Sequence, residues 1–399
     1  MDPPVKGLFA RQLFTGFGPS FLALAGEPPP HCAVQGGRPA RLRAAVRGEC
    51  PRLPGVYGMI DAAGELVYVG KAKCLRSRLL SYFRAKSRDP KAGRIVGAAR
   101  VVAWEPVHSE FAALLRELEL IRRWRPRFNV QGQPHRRRRT YVCVGREPAP
   151  YLFLAPRPPG TAFAGFGPVP GGATAREAVR RLNDWFRLRD CPKSQKMVFA
   201  DQRGLFPLDL VAGCLRVEIN ACLGPCAAAC SRSDYSSAVR AAVRFLEGRD
   251  ASPLETLERQ MHEAAAAQLF ERAAALRDRW TPIHWLSAQL ERVRRACQWS
   301  GVYPAVGRDG SRDQWHIIHQ GRVRAVTPAP RDDAGRIAAA AALEAIYHGG
   351  ASGPPGLEEI DGVLLVAAWF RRYPAEKGKT LAPAAARAAC FRGSGGSPA

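Results

Sequence analysis

Residues 54–84 read PGVYGMIDAAGELVYVGKAKCLRSRLLSYFR, and this stretch decides the fold of the region around it. Two short runs rich in aromatic and β-branched residues flank the turn residues 61–64, which predicts a β-hairpin. A four-residue loop would set Tyr57 directly opposite Tyr68 on one face of the hairpin. The other face would carry three valines that point into the core: Val56, Val67 and Val69. An aromatic pair of this kind is common in any sheet, so by itself it indicates no function.

The segment that follows, Lys71–Arg84, has the spacing of a helix. Its apolar stripe is formed by three residues: Leu75, Leu79 and Phe83. Arg78 and Tyr82 each fall within about 20° of Lys71 on a helical wheel, because a helix has 3.6 residues per turn. A solvated basic face is the ordinary explanation, but a tyrosine set among the cations, beside the tyrosine hairpin, favours a functional one.

A third segment, Ser109–Arg123, is also predicted to be helical, with Ser109 as its N-cap. The apolar face is formed by five residues: Phe111, Leu114, Leu115, Leu118 and Ile121. Glu110 and Glu117 lie seven residues apart on one edge of this face. A carboxylate at the rim of a core is either paired or holds a metal ion. Asn129 follows the end of this helix.

The balance of charge is strongly basic, with 60 Lys and Arg against 35 Asp and Glu and a formal net charge of +25. An excess of this size is typical of proteins that bind a polyanion, although an Arg-rich composition can also reflect a GC-rich genome. Arginine matches phosphate with two parallel hydrogen bonds. The predicted nucleic-acid-binding residues are Arg122, Arg123, Arg127, Arg136, Arg137, Arg138 and Arg139.

The sequence has no apolar run long enough to span a bilayer and no secretory signal, so we expect a cytoplasmic protein. Eleven cysteines are too sparse for a disulfide scaffold in a chain of 399 residues. Five of them fall within forty residues: Cys191, Cys214, Cys222, Cys226 and Cys230. Clustered soft ligands favour an iron–sulfur cluster or a structural zinc ion, and buried free thiols are the alternative.

Composition and periodicity divide the chain into six regions, which together predict an α+β protein. They are a poorly ordered extension at 1–48, a small sheet with flanking helices at 50–130, a basic connector and cysteine-cluster region at 131–247, a helical hairpin at 251–295, a small C-terminal region at 301–390 and a flexible tail at 391–399.

Two tyrosines, a lysine, an arginine, a glutamate on a second helix and a trailing asparagine resemble, in this order and spacing, the GIY-YIG nuclease domain. The strings that carry this resemblance are PGVY at 54–57 and YVGK at 68–71. The further string ALLRELELIRRWRPRFNV at 113–130 resembles UvrC-type members of the family. The resemblance implies a small sheet with flanking helices over 50–130 and an endonuclease that hydrolyses phosphodiester bonds in DNA.

The resemblance also implies roles for the residues around the hairpin. Tyr57 matches the general base, or relay, that activates a water molecule, and Tyr68 matches a tyrosine that orients the reacting groups. Lys71 lies beside them, where its charge could lower the pKa of a phenol. Arg78 matches the residue that grips the scissile phosphate, and Tyr82 matches a further active-site hydroxyl.

Two more residues complete the implied site. Glu117 matches the single carboxylate that holds one divalent ion, for which Mg²⁺ or Mn²⁺ is suited by its preference for hard oxygen ligands and water. Asn129 matches the terminal asparagine of the active site. Independently of the family, hydrolysis of a phosphodiester needs an activated water, a cation on the phosphate and help for the leaving oxygen.

The segment CLRVEINACLGPC at 214–226 is similar to the cysteine region of UvrC. The resemblance implies Cys191, Cys214, Cys222 and Cys226 as ligands of a 4Fe–4S cluster, with zinc or no metal as the alternatives. Residues 254–280 resemble the UVR motif, through which UvrC and UvrB associate. The predicted partner-binding residues are Leu257, Met261, Phe270, Ala273, Leu276 and Arg277. Packing against the rest of the chain is the alternative for this apolar face.

The resemblance implies a short form without the C-terminal RNase H-like nuclease and helix-hairpin-helix regions of UvrC, and hence one incision, on the 3′ side of a lesion, made with UvrB in nucleotide excision repair. Two other functions are compatible with the sequence. One is an adaptor that binds UvrB or DNA without cutting, and the other is a structure-specific nuclease that works without UvrB. Membrane association is not expected.

Overall fold

The computed structural model describes residues 13–22, 31–83, 90–129, 139–192, 194–202, 214–307, 313–349 and 359–391. The chain forms two compact units, the first comprising Met1–Arg136 and Ala296–Ala399 and the second Arg137–Arg295. All strand pairs in the described ranges are antiparallel and helices pack on the sheets, so the predicted α+β class is confirmed. None of the helices in these ranges is long and apolar enough to cross a lipid bilayer.

The first unit begins with a four-stranded sheet in the order β1-β4-β2-β3. Its strands are β1 (Cys32–Gln35), β2 (Gly55–Ile60), β3 (Leu66–Ala72) and β4 (Val101–Pro106). Its helices are α1 (Pro39–Glu49), α2 (Leu75–Tyr82), α3 (Pro90–Ala98) and α4 (Glu110–Trp124). The predicted hairpin consists of β2 and β3. Asp61 shapes its turn, because the Asp61 carboxylate accepts hydrogen bonds from the main-chain N–H groups of Ala63 and Glu65 at 3.0 and 3.1 Å.

Both faces of this sheet are covered by apolar side chains. On one face, Tyr57 and Met59 lie in a buried cluster with residues of α1, α2 and α3. On the other face, Val56 and Val69 lie in a second cluster with Leu120 of α4. The alternation of side chains along β2 sends neighbouring residues to opposite faces. The sheet therefore holds the tyrosine face and α4 in fixed positions.

The register of the hairpin differs from the sequence prediction. Tyr57 pairs with Gly70, and Tyr68 pairs with Met59, so the prediction that Tyr57 lies directly opposite Tyr68 is wrong. A shift of register after Met59 leaves Val67 as the extra residue of a β-bulge, and Val67 packs in the same cluster as Tyr57. The two tyrosines still share a face, because their partners are two residues apart on each strand.

The helix after the hairpin is shorter than predicted. Lys71 belongs to β3, and α2 begins only at Leu75, so the prediction of a helix from Lys71 is wrong. Hydrogen bonding along the edge of β2 keeps the chain extended as far as Ala72, which pairs with Gly55. Lys71 therefore approaches the tyrosine face from the end of a strand.

The N-terminal part of the chain also differs from the prediction of little regular structure over 1–48. Residues 32–35 add β1 to the sheet edge beside β4, and residues 39–49 form α1. Leu42 and Val46, four residues apart in α1, are both fully buried. Two apolar residues at this spacing share one helical face, and burial of that face against the sheet stabilises the helix.

The second unit has a three-stranded sheet in the order β6-β5-β7 followed by helices. Its strands are β5 (Arg139–Val144), β6 (Leu152–Ala155) and β7 (Ala164–Pro170). Its helices are α5 (Ala173–Trp185), α6 (Leu215–Glu218), α7 (Arg232–Leu246), α8 (Ser252–Ala266) and α9 (Phe270–Gln298). One core of this unit joins Val142 of β5, Leu182 of α5 and Phe245 of α7.

The C-terminal part of the first unit has a second three-stranded sheet, in the order β10-β9-β8. Its elements are β8 (Gly301–Ala305), β9 (Gln314–His319), β10 (Arg322–Pro328), α10 (Asp333–Tyr347), α11 (Ile360–Arg372), α12 (Pro374–Gly378) and α13 (Pro383–Phe391). The ring of Phe111 in α4 lies edge-on to that of Tyr303 in β8, with centroids 5.0 Å apart. The C-terminal region thus shares a core with α4, which carries Glu117.

Candidate active site

Three tyrosine rings lie together on the face of the sheet that α2 covers. The ring centroids of Tyr57 and Tyr68 are 6.2 Å apart, those of Tyr57 and Tyr82 are 5.9 Å apart, and those of Tyr68 and Tyr82 are 6.2 Å apart. The hydroxyls of Tyr57 and Tyr82 are joined by a buried hydrogen bond of 2.9 Å. A β-carbon at position 70 would collide with the Tyr57 hydroxyl, so Gly70 leaves the room in which that hydroxyl lies.

Arg78 joins this tyrosine cluster from α2. Its Nε donates a hydrogen bond of 3.3 Å to the Tyr57 hydroxyl, and its Cζ lies 5.1 Å from the centroid of the Tyr82 ring. Because Arg78 and Tyr82 are one helical turn apart, they present one face to the sheet. The guanidinium therefore brings a positive charge directly onto the buried hydroxyl of Tyr57.

The two tyrosines of the hairpin are neutral phenols at ordinary pH. Burial raises the pKa of Tyr57 well above its usual value of 10, and the Tyr82 and Tyr68 phenols raise it further. Burial likewise raises the pKa of Tyr68. The lowered phenol pKa that was expected beside Lys71 is not found at Tyr57 or Tyr68, because burial raises both pKa values by more than the charge of Arg78 lowers them.

Glu117 of α4 lies at the edge of the same site, within electrostatic reach of Tyr68 and Arg78. Burial raises the pKa of its carboxyl to about 7, and the charge and main-chain N–H of Lys71 act in the opposite direction. Among the described residues, no group of three or more His, Cys, Asp or Glu side chains could hold a metal ion. A metal ion here would therefore have Glu117 as its protein carboxylate and water as its other ligands.

The second acidic residue on this edge of α4 is paired. The carboxylate of Glu110 lies 2.9 Å from the ammonium of Lys73, and it also accepts a long hydrogen bond of 3.5 Å from the Tyr373 hydroxyl of the C-terminal region. Of the two carboxylates, Glu117 is the one left for a metal ion.

Asn129 supports the site through the main chain. Its side-chain Oδ1 accepts a hydrogen bond of 2.9 Å from the N–H of Val69, and its Nδ2 donates one of 2.8 Å to the carbonyl of Val69. Both ends of the amide are thus bonded to the residue between Tyr68 and Gly70. In this arrangement the Asn129 amide is bonded to β3, the strand that carries Tyr68, and it is not directed at a reacting group.

The predicted nucleic-acid-binding arginines fall in three settings. Two of them lie near carboxylate oxygens, Arg122 at 3.7 Å from Asp361 and Arg127 at 3.0 Å from Asp61. Arg123 instead donates hydrogen bonds of 2.5 and 2.8 Å to the carbonyls of Phe17 and Pro19. Arg139 belongs to β5 of the second unit. Arg136, Arg137 and Arg138 lie outside the described residues. The side chains of Arg122, Arg123 and Arg127 are therefore partly engaged within their own unit.

Arg116, beside the metal-site candidate in α4, has a structural role that the sequence did not indicate. Its guanidinium is completely buried and binds both carboxylate oxygens of Glu105 at 2.9 Å. It also lies 2.9 Å from the carboxylate of Glu119 and donates to the carbonyls of Gly18 and Pro19 at 2.6 and 3.0 Å. The signal in the sequence was Glu105, an acid within an apolar strand that needs a buried partner.

The five clustered cysteines at 191–230 share one neighbourhood. Cys226 lies within electrostatic reach of Cys191, Cys214 and Cys222. Burial raises the pKa of the thiols of Cys222 and Cys226, and it raises that of Cys230 to about 11. As these described thiols are placed, no three of them form a set of ligands around one metal ion.

The helical hairpin consists of α8 and the first half of α9, as the sequence predicts. Leu257 and Leu276, predicted to face a partner, are instead buried in the core of the second unit. Met261 and Ala273 pack against the same core. The prediction that the apolar stripe of this hairpin is open is therefore wrong, because β5, α5 and α7 supply the apolar surface that covers it.

The tip of the hairpin, unlike its apolar stripe, is exposed to solvent. Leu269 lies in the turn between α8 and α9, Phe270 is the first residue of α9, and Phe270 is 69% exposed. Arg277, one predicted partner-binding residue, is exposed on α9, and its guanidinium lies 3.5 Å from the carboxylate of Asp278. Leu269 and Phe270 thus place two adjacent exposed apolar side chains at the tip of the hairpin.

Comparison with known proteins agrees with this arrangement. Residues 53–130 match the model of the UvrC-like GIY-YIG domain, so the sheet, α4 and the tyrosine cluster make up a domain of the GIY-YIG class. Residues 140–245 match the UvrC/Cho excinuclease middle domain, and residues 251–280 match the UvrB/UvrC motif. These matches follow one another along the chain, and the chain belongs to the UvrC family.

Two curated relatives illustrate the similarity, both named UvrABC system protein C. The one from Desulforudis audaxviator is 36% identical over 268 residues, which cover 67% of this chain and 41% of the relative. The one from Pseudomonas syringae pv. tomato is 36% identical over 235 residues, which cover 59% of this chain and 37% of the relative. The chain thus matches about two fifths of the length of these relatives.

One solved structure is also similar in sequence. It is the GIY-YIG N-terminal endonuclease domain of UvrC from Thermotoga maritima, described as bound to its catalytic divalent cation, magnesium. It is 35% identical, and the match covers 22% of this chain and 96% of that chain, with a TM-score of 0.21.

Proposed function

We propose that this chain is a metal-dependent DNA endonuclease that makes an incision, on the 3′ side, near lesions in duplex DNA, together with UvrB. The observation that carries the proposal is the convergence of Tyr57, Arg78 and Glu117 on one partly buried site. These residues supply a hydroxyl, a fixed cation and a carboxylate, which are the groups that phosphodiester hydrolysis requires. Membership of the UvrC family supports the same reaction.

Glu117 would hold the single divalent ion, Mg²⁺ or Mn²⁺. The site suits such an ion, since the buried carboxylate of Glu117 offers one hard oxygen ligand, and among the described residues it belongs to no group of three or more possible ligands, which would leave the remaining positions to water. When bound, the ion neutralises charge on the phosphate and makes a coordinated water more acidic. Lys71 keeps the carboxyl of Glu117 nearer its charged form, which is the form that binds metal.

Arg78 would hold the scissile phosphate. Its Nε is bonded to Tyr57, so the two Nη groups are the donors directed at a ligand. The charge of the guanidinium stabilises the negative charge that builds up on the phosphoryl oxygens in the transition state. Because α2 is packed on the sheet, the guanidinium needs little reorganisation to act.

Tyr57 would act as a neutral hydroxyl. Its raised pKa means that the phenol keeps its proton until another group takes it, so Tyr57 fits a proton relay better than a preformed phenolate base. The hydrogen bond to the Tyr82 hydroxyl gives that proton a route. Tyr68 packs against both rings and fixes their orientation.

UvrB would bind at the tip of the helical hairpin, where Leu269 and Phe270 are exposed. The remaining apolar residues of the motif would hold the hairpin on its own unit. UvrB would also supply the location of the damage, because nothing in the sequence resembles a base-reading motif. Contacts of arginine with phosphate would make DNA binding sensitive to salt and indifferent to sequence. A cytoplasmic location fits this role.

An iron–sulfur cluster on Cys191, Cys214, Cys222 and Cys226 stays a prediction, with zinc as its alternative. The absorbance spectrum of anaerobically purified protein tests it. A broad sulfur-to-iron charge-transfer band in the visible spectrum would support the cluster. A colourless protein in which metal analysis finds zinc would support the alternative.

The proposed function is tested by reconstitution with UvrA, UvrB, Mg²⁺ and a duplex that carries one lesion. We expect a single nick on the 3′ side of the lesion, none with EDTA and none without UvrB. Lesion-dependent binding without a nick would instead indicate an adaptor. Nicking that does not need UvrB would indicate an independent nuclease.

The role of the hairpin tip is tested separately by binding to UvrB. Replacing Phe270→Ala should weaken binding at least about tenfold, because buried aromatic anchors carry much of the energy of an interface. Phe391→Ala, which removes another exposed phenylalanine, is the matched control and should bind UvrB as the wild type does.

A further inference from the structure

The second unit contains a cavity that the proposed incision does not use. Its volume is about 400 Å³, within the range of sites for small molecules. The loop after β5, strand β6 and the segment 189–197 contribute to its wall. The side chains that matter for a ligand are Arg146, Tyr151, Phe153, Arg189 and Gln195.

Arg189 gives this cavity a buried positive charge. Its side chain is only 6% exposed. Its Nη1 has three weak contacts within the unit, at 3.4 Å to the carbonyl of Pro192, 3.6 Å to the sulfur of Cys191 and 3.9 Å to the sulfur of Met197. Its Nε is buried without a hydrogen-bond partner. Within the described part of the chain, no carboxylate lies at ion-pair distance from Arg189, so none of the described acids neutralises its charge.

A buried guanidinium without an anion is costly, because burial removes the water that would otherwise solvate the charge. Arg116 in the first unit shows how this chain deals with a structural arginine: two carboxylates and two carbonyls surround it. Arg189 has none of these acids and borders an open cavity instead. Its position therefore indicates a site for an anionic group of a ligand.

The rest of the wall suits an aromatic ring attached to that anion. The rings of Tyr151 and Phe153 have centroids 5.7 Å apart, and the Arg189 guanidinium lies 4.9 Å from the centroid of the Tyr151 ring. Aromatic side chains stack with any nucleobase, and arginine adds a cation–π contribution. The exposed Arg146 at the rim adds a second cation for a phosphate.

We propose that this cavity binds one nucleotide, with its phosphate on Arg189 and its base against Tyr151 and Phe153. The nucleotide would be a unit of a DNA strand or a free mononucleotide, which present the same chemistry. The site belongs to the second unit, whereas the residues proposed to cut belong to the first, so its occupation does not depend on incision.

The test uses the full chain in EDTA, so that no metal-dependent cleavage occurs. The probe is a ten-residue oligothymidylate in which one base is 5-iodouracil, which crosslinks to aromatic side chains in light. The crosslinked residues are mapped by mass spectrometry. We expect a crosslink within residues 147–157, at Tyr151 or Phe153. No crosslink in this segment would overturn the proposal.

Three variants make the test specific. Arg189→Met removes the charge and should lower the crosslink at least about tenfold, since a hydrogen bond to a charged group is worth this much. Thr161→Trp fills the cavity from an exposed position and decides the question if Arg189→Met fails to fold. Arg157→Gln, an exposed arginine that does not line the cavity, is the matched control and should crosslink like the wild type. A crosslink unchanged in both Arg189→Met and Thr161→Trp would overturn the proposal.

Competition distinguishes the two sources of the nucleotide. If dTMP at millimolar concentration removes the crosslink, the site accepts a free mononucleotide. If only unlabelled oligothymidylate removes it, the site recognises a nucleotide within a strand. Both results support the proposal, and a failure of incision in the reconstituted system would leave this result unchanged.

Discussion

Arg116 in the first unit and Arg189 in the second are both buried, yet their surroundings are opposite. Arg116 is held by the carboxylates of Glu105 and Glu119, and these contacts satisfy its charge within the protein. Among the described residues, the side chain of Arg189 has a long contact to a carbonyl, two sulfur contacts and one aromatic ring, and it faces a cavity. Burial alone therefore does not tell a structural arginine from a binding one; the presence of an acid partner does.

Arg78 lies between these two cases. It is partly exposed and bonded to a phenol rather than to a carboxylate, so its charge is positioned without being neutralised. A guanidinium in this state is prepared for a phosphate, because the protein fixes its direction and leaves its charge available. The three arginines thus form a series: carboxylates neutralise the charge of Arg116, a phenol positions that of Arg78, and none of the described carboxylates pairs with that of Arg189.

The largest effect on stability should come from replacing Arg116, the arginine that is paired with carboxylates. Arg116→Met leaves the buried carboxylate of Glu105 without its partner and should lower the free energy of unfolding by about 3–5 kcal/mol. Arg189→Met leaves no acid behind and should change the free energy of unfolding by less than about 1 kcal/mol in the absence of a ligand. Urea unfolding followed by circular dichroism measures both. Equal losses in the two variants would contradict the distinction between them.

A smaller effect is expected from Arg78, and it should appear in the rate rather than in stability. Arg78→Ala removes the fixed charge at the phosphate and should lower the single-turnover rate of incision by about 10²–10³, as loss of one preorganised donor does in other enzymes. Arg78→Lys keeps the charge without the two-pronged geometry and should recover part of the rate. A wild-type rate in Arg78→Ala would remove this residue from the proposed mechanism.

His316 extends the comparison to a buried base that can lose its charge. Burial lowers its pKa from 6.5 to about 3, so the imidazole is neutral in the folded protein. The unfolded chain takes up a proton below pH 6.5 while the folded protein does not until about pH 3, so stability falls as the pH drops through this window. Between pH 7 and pH 5 this residue should account for a loss of about 2 kcal/mol.

The variant His316→Phe tests that dependence. The substituted ring can keep the edge-on packing that His316 has with Phe111, whose centroid is 5.1 Å away. Urea unfolding at pH 7 and pH 5 should show a smaller loss of stability in the variant than in the wild type. An equal loss in the two proteins would show that carboxylates alone cause the acid sensitivity.

Local pattern in the sequence predicted two elements of the candidate site, the hairpin and the helix that carries Glu117. The turn residues at 61–64 gave the hairpin, and the apolar spacing after Ser109 gave α4 with its N-cap, where the Ser109 hydroxyl accepts a hydrogen bond of 3.1 Å from the N–H of Ala112. The bulge at Val67 could not be predicted, because it depends on how the hairpin packs on α2 and α4. That one residue changes which side chain lies opposite Tyr57.

Longer-range packing accounts for the other differences. The apolar stripe of α8 and α9 was visible in the sequence, but what covers it was not, since its neighbours come from β5, α5 and α7, far away along the chain. The cavity at Arg189 likewise joins the loop after β5 to residues some forty positions later. A pattern in sequence tells which residues share a face and cannot tell which distant residues fill the space in front of it.

The most direct measurement is the single-turnover rate of incision by Glu117→Gln in the reconstituted system, beside Glu49→Gln as the control for loss of an exposed acid. Glu117→Gln keeps the size of the side chain and removes the charge that would hold the metal. We expect its rate to fall by about 10³ or more while DNA binding is retained, and Glu49→Gln to cut at the wild-type rate. A nick made by Glu117→Gln at the wild-type rate would contradict the assignment of this site as the one that cuts.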